Sequence, residues 1–131
     1  MYAEALIYAY EHPKNRGVLS DAAASDSEEN ISCGDKIKVY IGIDKSGKAV
    51  DIKFDGAGCV ISMGAAEMLV GALEGKTLAE IERFGKKELL ETISIDPGPV
   101  RMHCATLALR AIRKAVLSYE GKPIDRETKE L

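Results

Sequence analysis

Apolar and polar residues change their spacing along this chain, and each change marks an element. Residues 2–11 put Tyr2, Ala5, Leu6, Ala9 and Tyr10 on one face of a helix. His12-Pro13 ends it, because the residue before a proline is disfavoured in the helical region, and Asn15-Arg16-Gly17 reads as a turn. Residues 20–31 are small, polar and acidic, which suits either a weak edge strand or a mobile segment. The period then becomes two. Ile37, Val39, Ile41 and Ile43 alternate with Lys36, Lys38, Tyr40 and Gly42, and Val50, Ile52 and Phe54 alternate with Asp51, Lys53 and Asp55. These are half-buried strands, and Asp44 to Lys48 with Ser46-Gly47 makes the hairpin turn between them.

From Cys59 the period becomes helical. Ile61, Ala65, Met68, Leu69, Ala72 and Leu73 share a face and Gly75 is the stop. Thr77 caps a short helix carrying Leu78, Ile81 and Phe84, and another short helix holds Leu89 and Leu90. Pro97-Gly98-Pro99 predicts a break. A long last helix is expected from about His103 to Tyr119, with Ala108, Ala111, Ile112, Ala115 and Tyr119 buried, and the charged residues from Pro123 on are expected to fray. The pattern predicts a single α+β domain over residues 1–131: a small antiparallel β-sheet with helices packed on one face.

Composition narrows the function. The chain is 46% hydrophobic and 30% charged with a net charge of −3, which is ordinary for a globular domain and argues against a nucleic-acid binder. No apolar run approaches the roughly 18 residues of a membrane span. The start of the chain lacks the basic region of a signal peptide, so a cytoplasmic location with reduced thiols is expected. Three cysteines, an odd number, suit metal or persulfide chemistry better than a disulfide framework.

Each cysteine stands at the end of an element. Cys33 precedes the first clear strand, Cys59 follows the second strand and opens a helix, and Cys104 is expected to open the last helix. If the helices pack on the sheet, the three meet at one end of the domain. Zinc and iron–sulfur sites usually take about four protein ligands, and the candidates for the fourth are Asp35 and His103. Cys33 and Asp35, two apart in extended chain, can face one site across Gly34. Gly56 and Gly58 free the backbone to approach a bulky group beside Cys59. At helix N-termini the thiols of Cys59 and Cys104 would be acidified, and His103 offers a ligand or a proton carrier. Judged singly, each cysteine reads as a small buried hydrophobe, Asp35 as a strand-start residue, His103 as a helix-start residue and His12 as a helix terminator. Three cysteines at element ends, each beside a Gly, Asp or His, read as a site.

These motifs carry a resemblance. Tyr10-Glu11-His12-Pro13-Lys14-Asn15-Arg16-Gly17, Ser32-Cys33-Gly34-Asp35, Phe54-Asp55-Gly56-Ala57-Gly58-Cys59 and Pro99-Val100-Arg101-Met102-His103-Cys104 come in the order found in IscU/NifU-type iron–sulfur cluster assembly scaffolds, and the chain resembles that family over nearly its whole length. The resemblance implies a cluster carrier rather than a turnover enzyme. Cys33, Cys59 and Cys104 would hold a transient [2Fe–2S] cluster, with Asp35 or His103 in the fourth place. A cysteine desulfurase would deliver persulfide sulfur to Cys104, other partners would supply iron and electrons, and apo iron–sulfur proteins would receive the cluster. Asp35 would make the cluster labile, as befits a carboxylate, a harder and weaker ligand for such iron than thiolate. Zinc could occupy the same site, and a homodimer stays open.

Two departures matter. Asp96-Pro97-Gly98-Pro99-Val100-Arg101 stands where bacterial members carry the Leu-Pro-Pro-Val-Lys segment that recruits an Hsp70-type chaperone, which weakens the inference of that partner. The stretches around Cys59 and Cys104 are also similar to the SufU branch of zinc-bound sulfur acceptors. That branch carries an insertion between its second and third cysteines and lacks histidine before the third, whereas this chain lacks the insertion and has His103. The reading is therefore a scaffold, with a zinc-bound SufU-type sulfurtransferase that stimulates a desulfurase as the alternative.

Overall fold

The computed structural model describes residues 4–131. Its centre is a three-stranded antiparallel sheet in the order β1 (Ala24–Asn30), β2 (Asp35–Ile43), β3 (Ala49–Ala57). Strand β2 turns Asp35, Ile37, Val39 and Ile41 to one face, and all four are buried. Asp35 is thus the polar end of an otherwise apolar row. The acidic stretch before it does form an edge strand. The covered face of β1 carries Asp26 and Glu28, which ion-pair with Lys114 and Arg110 at 2.7–3.4 Å.

The β2–β3 turn follows the sequence. Asp44 Oδ1 accepts from the backbone N–H groups of Ser46 and Lys48, and Gly47 takes a positive φ of 84°. One strand residue differs from expectation. Val50 is half exposed, and Ala49 is buried in its stead. The register slips at Gly42/Ile43, so that Gly42 pairs with Asp51 but Ile43 with Ala49, and Val50 is the extra residue of a bulge.

Helix α2 (Val60–Leu73) crosses the covered face and is buried on nearly all sides, Ser62, Gly64 and Glu67 included, because α1 packs on its far side. α1 (Glu4–Glu11) comes so close that a side-chain carbon at Gly64 would sit 2.8 Å from the Leu6 carbonyl oxygen. This single contact face buries Leu6 and Ala9 but leaves Ala5 and Tyr10 exposed, contrary to the expected stripe; Tyr2 lies outside the described residues. The chain after α1 lies along β3. Phe54 donates its N–H to the Asn15 carbonyl (3.1 Å), Gly17 donates to the Phe54 carbonyl (2.7 Å), and Asn15 gives two hydrogen bonds to the Glu67 carboxylate at 2.8 and 2.9 Å. The expected turn is therefore a strap that covers the open edge of β3.

Thr77 caps α3 (Leu78–Glu82) with a reciprocal Glu80 bond, and α4 (Lys86–Ile93) follows. The expected long last helix is two helices. Pro97-Gly98-Pro99 opens α5 (Gly98–Ala105) instead of breaking the chain, since proline fits the first helical turn, where its missing N–H is no loss. The path bends at Thr106 into α6 (Leu107–Tyr119). α6 buries Ala108, Ala111, Ile112 and Ala115 as expected, but Tyr119 is half exposed. The C-terminal residues do not fray. α7 (Arg126–Lys129) buries Thr128, whose hydroxyl accepts from the buried Arg113 of α6, and Leu131 is also buried, its carbonyl accepting from Arg110 of α6. Among the described residues no helix is long and apolar enough to cross a membrane.

Candidate metal and cluster site

The three cysteines reach one end of the sheet by three routes. Cys33 sits in the β1–β2 turn, where the Asn30 carbonyl accepts from the N–H groups of Cys33 (3.3 Å) and Gly34 (2.8 Å) and Gly34 takes a φ of 77° that a side chain would oppose. Cys59 is the N-cap of α2: its backbone is extended and its Sγ accepts from the Ser62 N–H at 3.4 Å. Gly58 must be small, because a Cβ there would run into the Ser62 hydroxyl and stand 3.1 Å from the Asp35 carboxyl carbon. Gly56 is held to the same standard by the Lys36 carbonyl.

Cys104 departs from expectation. It is the next-to-last residue of α5 and not the first of a helix. Its thiol is pushed up to about 12, first by burial, then by its hydrogen bond with Cys33, then by the charges of Cys59, Cys33 and Asp35 around it. The acidification expected of a helix start is therefore overturned at this position. A bound cation would reverse the balance, since a metal takes its thiol ligands as thiolates.

The donor atoms of Cys33, Asp35 and Cys104 all lie within 4.8 Å of one another. The two sulfurs of Cys33 and Cys104 are 3.7 Å apart, and Cys59 Sγ lies 3.6 Å from Asp35 Oδ2. Four ligands around zinc at about 2.3 Å to sulfur and about 2.1 Å to oxygen would stand about 3.8 Å apart across a sulfur–sulfur edge and about 3.6 Å across a sulfur–oxygen edge. These two edges match those of a tetrahedral donor set, while Cys59 Sγ stands outside the group of donors that lie within 4.8 Å of one another and would have to close in on it; three thiols with one carboxylate fit zinc or cluster iron. His103, the other candidate, is exposed on α5 and is not among the residues lining the cleft, which runs between Asn30, Ser32 and Cys33 of the turn and Val100, Arg101 and Cys104 of α5.

Asn30 is a site residue the sequence reading passed over. Its carbonyl shapes the Cys33 turn and its side-chain N–H points at Cys104 Sγ, 3.6 Å away. An Asn three residues before a cysteine and four before a glycine is a turn signal, and it marked the bend without revealing the sulfur contact. Exposure divides the two neighbouring thiols. In metal-free protein at neutral pH, iodoacetamide is expected to label the exposed Cys33 about tenfold or more faster than the buried Cys104, as read by peptide mass mapping; equal rates would contradict this assignment.

Comparison with known proteins bears on the family and the fold. Residues 1–126 match the NifU-like N-terminal domain family. The zinc-dependent sulfurtransferase SufU of Bacillus subtilis is 33% identical, the alignment covering 92% of each chain. The iron–sulfur cluster assembly scaffold protein IscU of Thermotoga maritima is also 33% identical, over 88% of this chain and 92% of its own. The crystal structure of a nitrogen-fixing NifU-like protein (N-terminal) from Brucella abortus superposes with a TM-score of 0.76 at 14% identity, covering 92% of this chain and 95% of that one, and so shares the fold.

Proposed function

The chain belongs to the NifU-like N-terminal domain family, and from that premise we propose that it is an iron–sulfur cluster assembly scaffold. It takes persulfide sulfur from a cysteine desulfurase onto Cys104, binds iron, builds a transient [2Fe–2S] cluster and passes it to apo-proteins. Cys33, Cys59 and Cys104 hold the cargo and Asp35 takes the fourth place. The observation that carries this reading is the convergence of three thiols and one carboxylate, from a turn, a strand start and two different helices, on one cleft. The outward position of His103 favours Asp35 over it as the fourth ligand. Ile31 in the Cys33 turn and Val100 on α5 are nearly fully exposed apolar side chains, which suits a site that donor and recipient proteins must approach.

The test is iron, zinc and acid-labile sulfide analysis with a visible spectrum on protein purified without oxygen. Iron and sulfide in near-equal amounts with a brown chromophore would support the scaffold. A second reading, a zinc-bound sulfur acceptor, draws on the likeness to SufU and on the zinc-like donor spacing. It expects zinc alone, with no sulfide after reconstitution with desulfurase, cysteine and ferrous iron.

Asp35 sets how readily cargo leaves. Its carboxylate is the harder donor in a soft set, so iron held there exchanges more easily than iron held by thiolate. Asp35→Ala is expected to lengthen cluster persistence and slow transfer to an apo-ferredoxin several-fold, followed by circular dichroism in the visible range. Faster loss than in the unchanged protein would refute this role.

A further inference from the structure

As ligands, Cys33 and Cys104 need only point at a common ion. Yet their sulfurs already touch, at 3.7 Å, and the two residues are unlike: Cys33 is on an exposed turn and Cys104 is buried. We propose that Cys33 is also a resolving thiol, which displaces the sulfur carried on Cys104 and so releases it as hydrogen sulfide. The step rests on the reading of Cys104 as the persulfide acceptor. The Cys33 sulfur attacks Cys104 Sγ, an Sγ–Sγ bond forms, and the bond from Cys104 Sγ to the outer sulfur breaks. The bonding pair leaves on the outer sulfur, which takes the Cys33 thiol proton. One thiol and one persulfide become one disulfide and one hydrogen sulfide, and no outside oxidant or reductant enters.

The geometry favours this pair over the alternatives. A 3.7 Å separation lies just outside the near-attack range of about 3–3.5 Å, and Cys33 is on a turn rather than in a helix or strand. Asn30 joins the partners, since its carbonyl holds the Cys33 turn while its side-chain N–H points at Cys104 Sγ, the atom under attack. Cys59 is differently engaged: its sulfur caps α2 and faces Asp35, and it falls outside the group of donors that lie within 4.8 Å of one another. The product is informative too. A Cys33–Cys104 disulfide removes two of the three thiolates, so sulfide release and cargo holding are alternate states of one pair, and a dithiol reductant must intervene before metal is bound.

The experiment uses metal-free protein under chelator and without oxygen. The full chain is pulsed with glutathione persulfide, desalted, and sampled over time into N-ethylmaleimide for intact mass and peptide mapping, with sulfide measured in parallel. The expected result is that the extra sulfur on Cys104 decays, a Cys33–Cys104 linked peptide appears, and sulfide rises one-for-one with it. In Cys33→Ser and Cys33→Ala, each checked for unchanged thermal unfolding, the sulfur on Cys104 should persist at least tenfold longer and sulfide should fall accordingly. Equal decay in all three proteins, or sulfide without the linked peptide, overturns the proposal while leaving the acceptor reading intact. Failure of Cys104 to gain sulfur in any of them overturns the acceptor reading, and the proposal with it.

Discussion

Cys59→Ser is expected to give a folded protein that no longer retains a cluster. The two functions of this side chain separate cleanly in the structure. As the N-cap of α2, Cys59 accepts a hydrogen bond from the Ser62 N–H, a task for which serine is among the best residues. As a ligand, its thiolate is one of only three soft donors, and a serine hydroxyl is a poor substitute for iron or zinc. The melting curve of the apo-protein should therefore be unchanged or slightly raised. Cluster yield after anaerobic reconstitution, read from iron, sulfide and visible absorbance, should fall at least tenfold. A normal yield would remove Cys59 from the ligand set. A collapsed melting curve would mean that the thiol matters to packing beyond its cap.

Arg113→Ala is expected to cost about 1.5–3 kcal/mol, the range for hydrogen bonds made by a charged group. Arg113 is 2% exposed and is the hub of the C-terminal region. Its guanidinium donates to the carbonyls of Glu82 (2.6 Å) and Phe84 (3.0 Å), to the Thr128 hydroxyl (2.9 Å) and to the Asp125 carboxylate (3.2 Å), with Glu127 at 3.6 Å. Alanine would leave the buried Thr128 hydroxyl and the Glu82 and Phe84 carbonyls without this donor, while Asp125 and Glu127, 44% and 59% exposed, would turn to water. By contrast the Arg126–Glu130 pair, 90% and 63% exposed, is an ordinary surface pair, and Arg126→Ala should cost no more than about 0.5 kcal/mol. Urea unfolding distinguishes the two, and a loss below about 1 kcal/mol for Arg113→Ala would show that the hub is not structural. The same region sets an acid limit. The Thr128 side chain, ahead of Arg113, holds the Asp125 carboxyl below its ordinary value. A lowered carboxylate stabilises fully above its unfolded value of about 3.9 and loses that contribution as pH falls through the folded one. Docking of α7 should therefore weaken in acid, and hydrogen exchange near Thr128 should rise before the sheet opens.

Much of this was legible in the residues themselves. The alternation of Ile37, Val39 and Ile41 forecast β2, and its parity brings Asp35 onto the buried row. Asp44 and Gly47 forecast the hairpin. What escaped the reading did so for physical reasons. β1 has a covered face, but Asp26 and Glu28 occupy it and are matched by Lys114 and Arg110, so no apolar alternation decides between the edge strand and the mobile segment, either of which suits residues 20–31. Val50 is more hydrophobic than Ala49, yet the bulge turns it outward, and a one-residue slip has no local signature. Glu67 and Arg113 look like surface residues because the partners that satisfy them, Asn15 and the segment from Asp125 to Thr128, are remote in sequence. Cys104 was recognised but set at the wrong end of a helix, since proline, read there as an interruption, is equally at home in a first turn. The site could thus be named from its motifs, whereas the raised Cys104 thiol, the Asn30 contact and the outward His103 required the fold.

The contact between Cys33 and Cys104 joins positions 71 residues apart. During synthesis the chain emerges with Cys33 and Asp35 long before Cys104, and the strands can pair while α5 is still unmade. Until Cys104 is made, a nascent chain lacks one member of the donor set. Closing so long a loop contributes to the entropic barrier of folding, and an ion that bridges its two ends would repay part of that cost only after the last helices have docked. An ion held by the full donor set would in this way stabilise the chain only once α5 has docked.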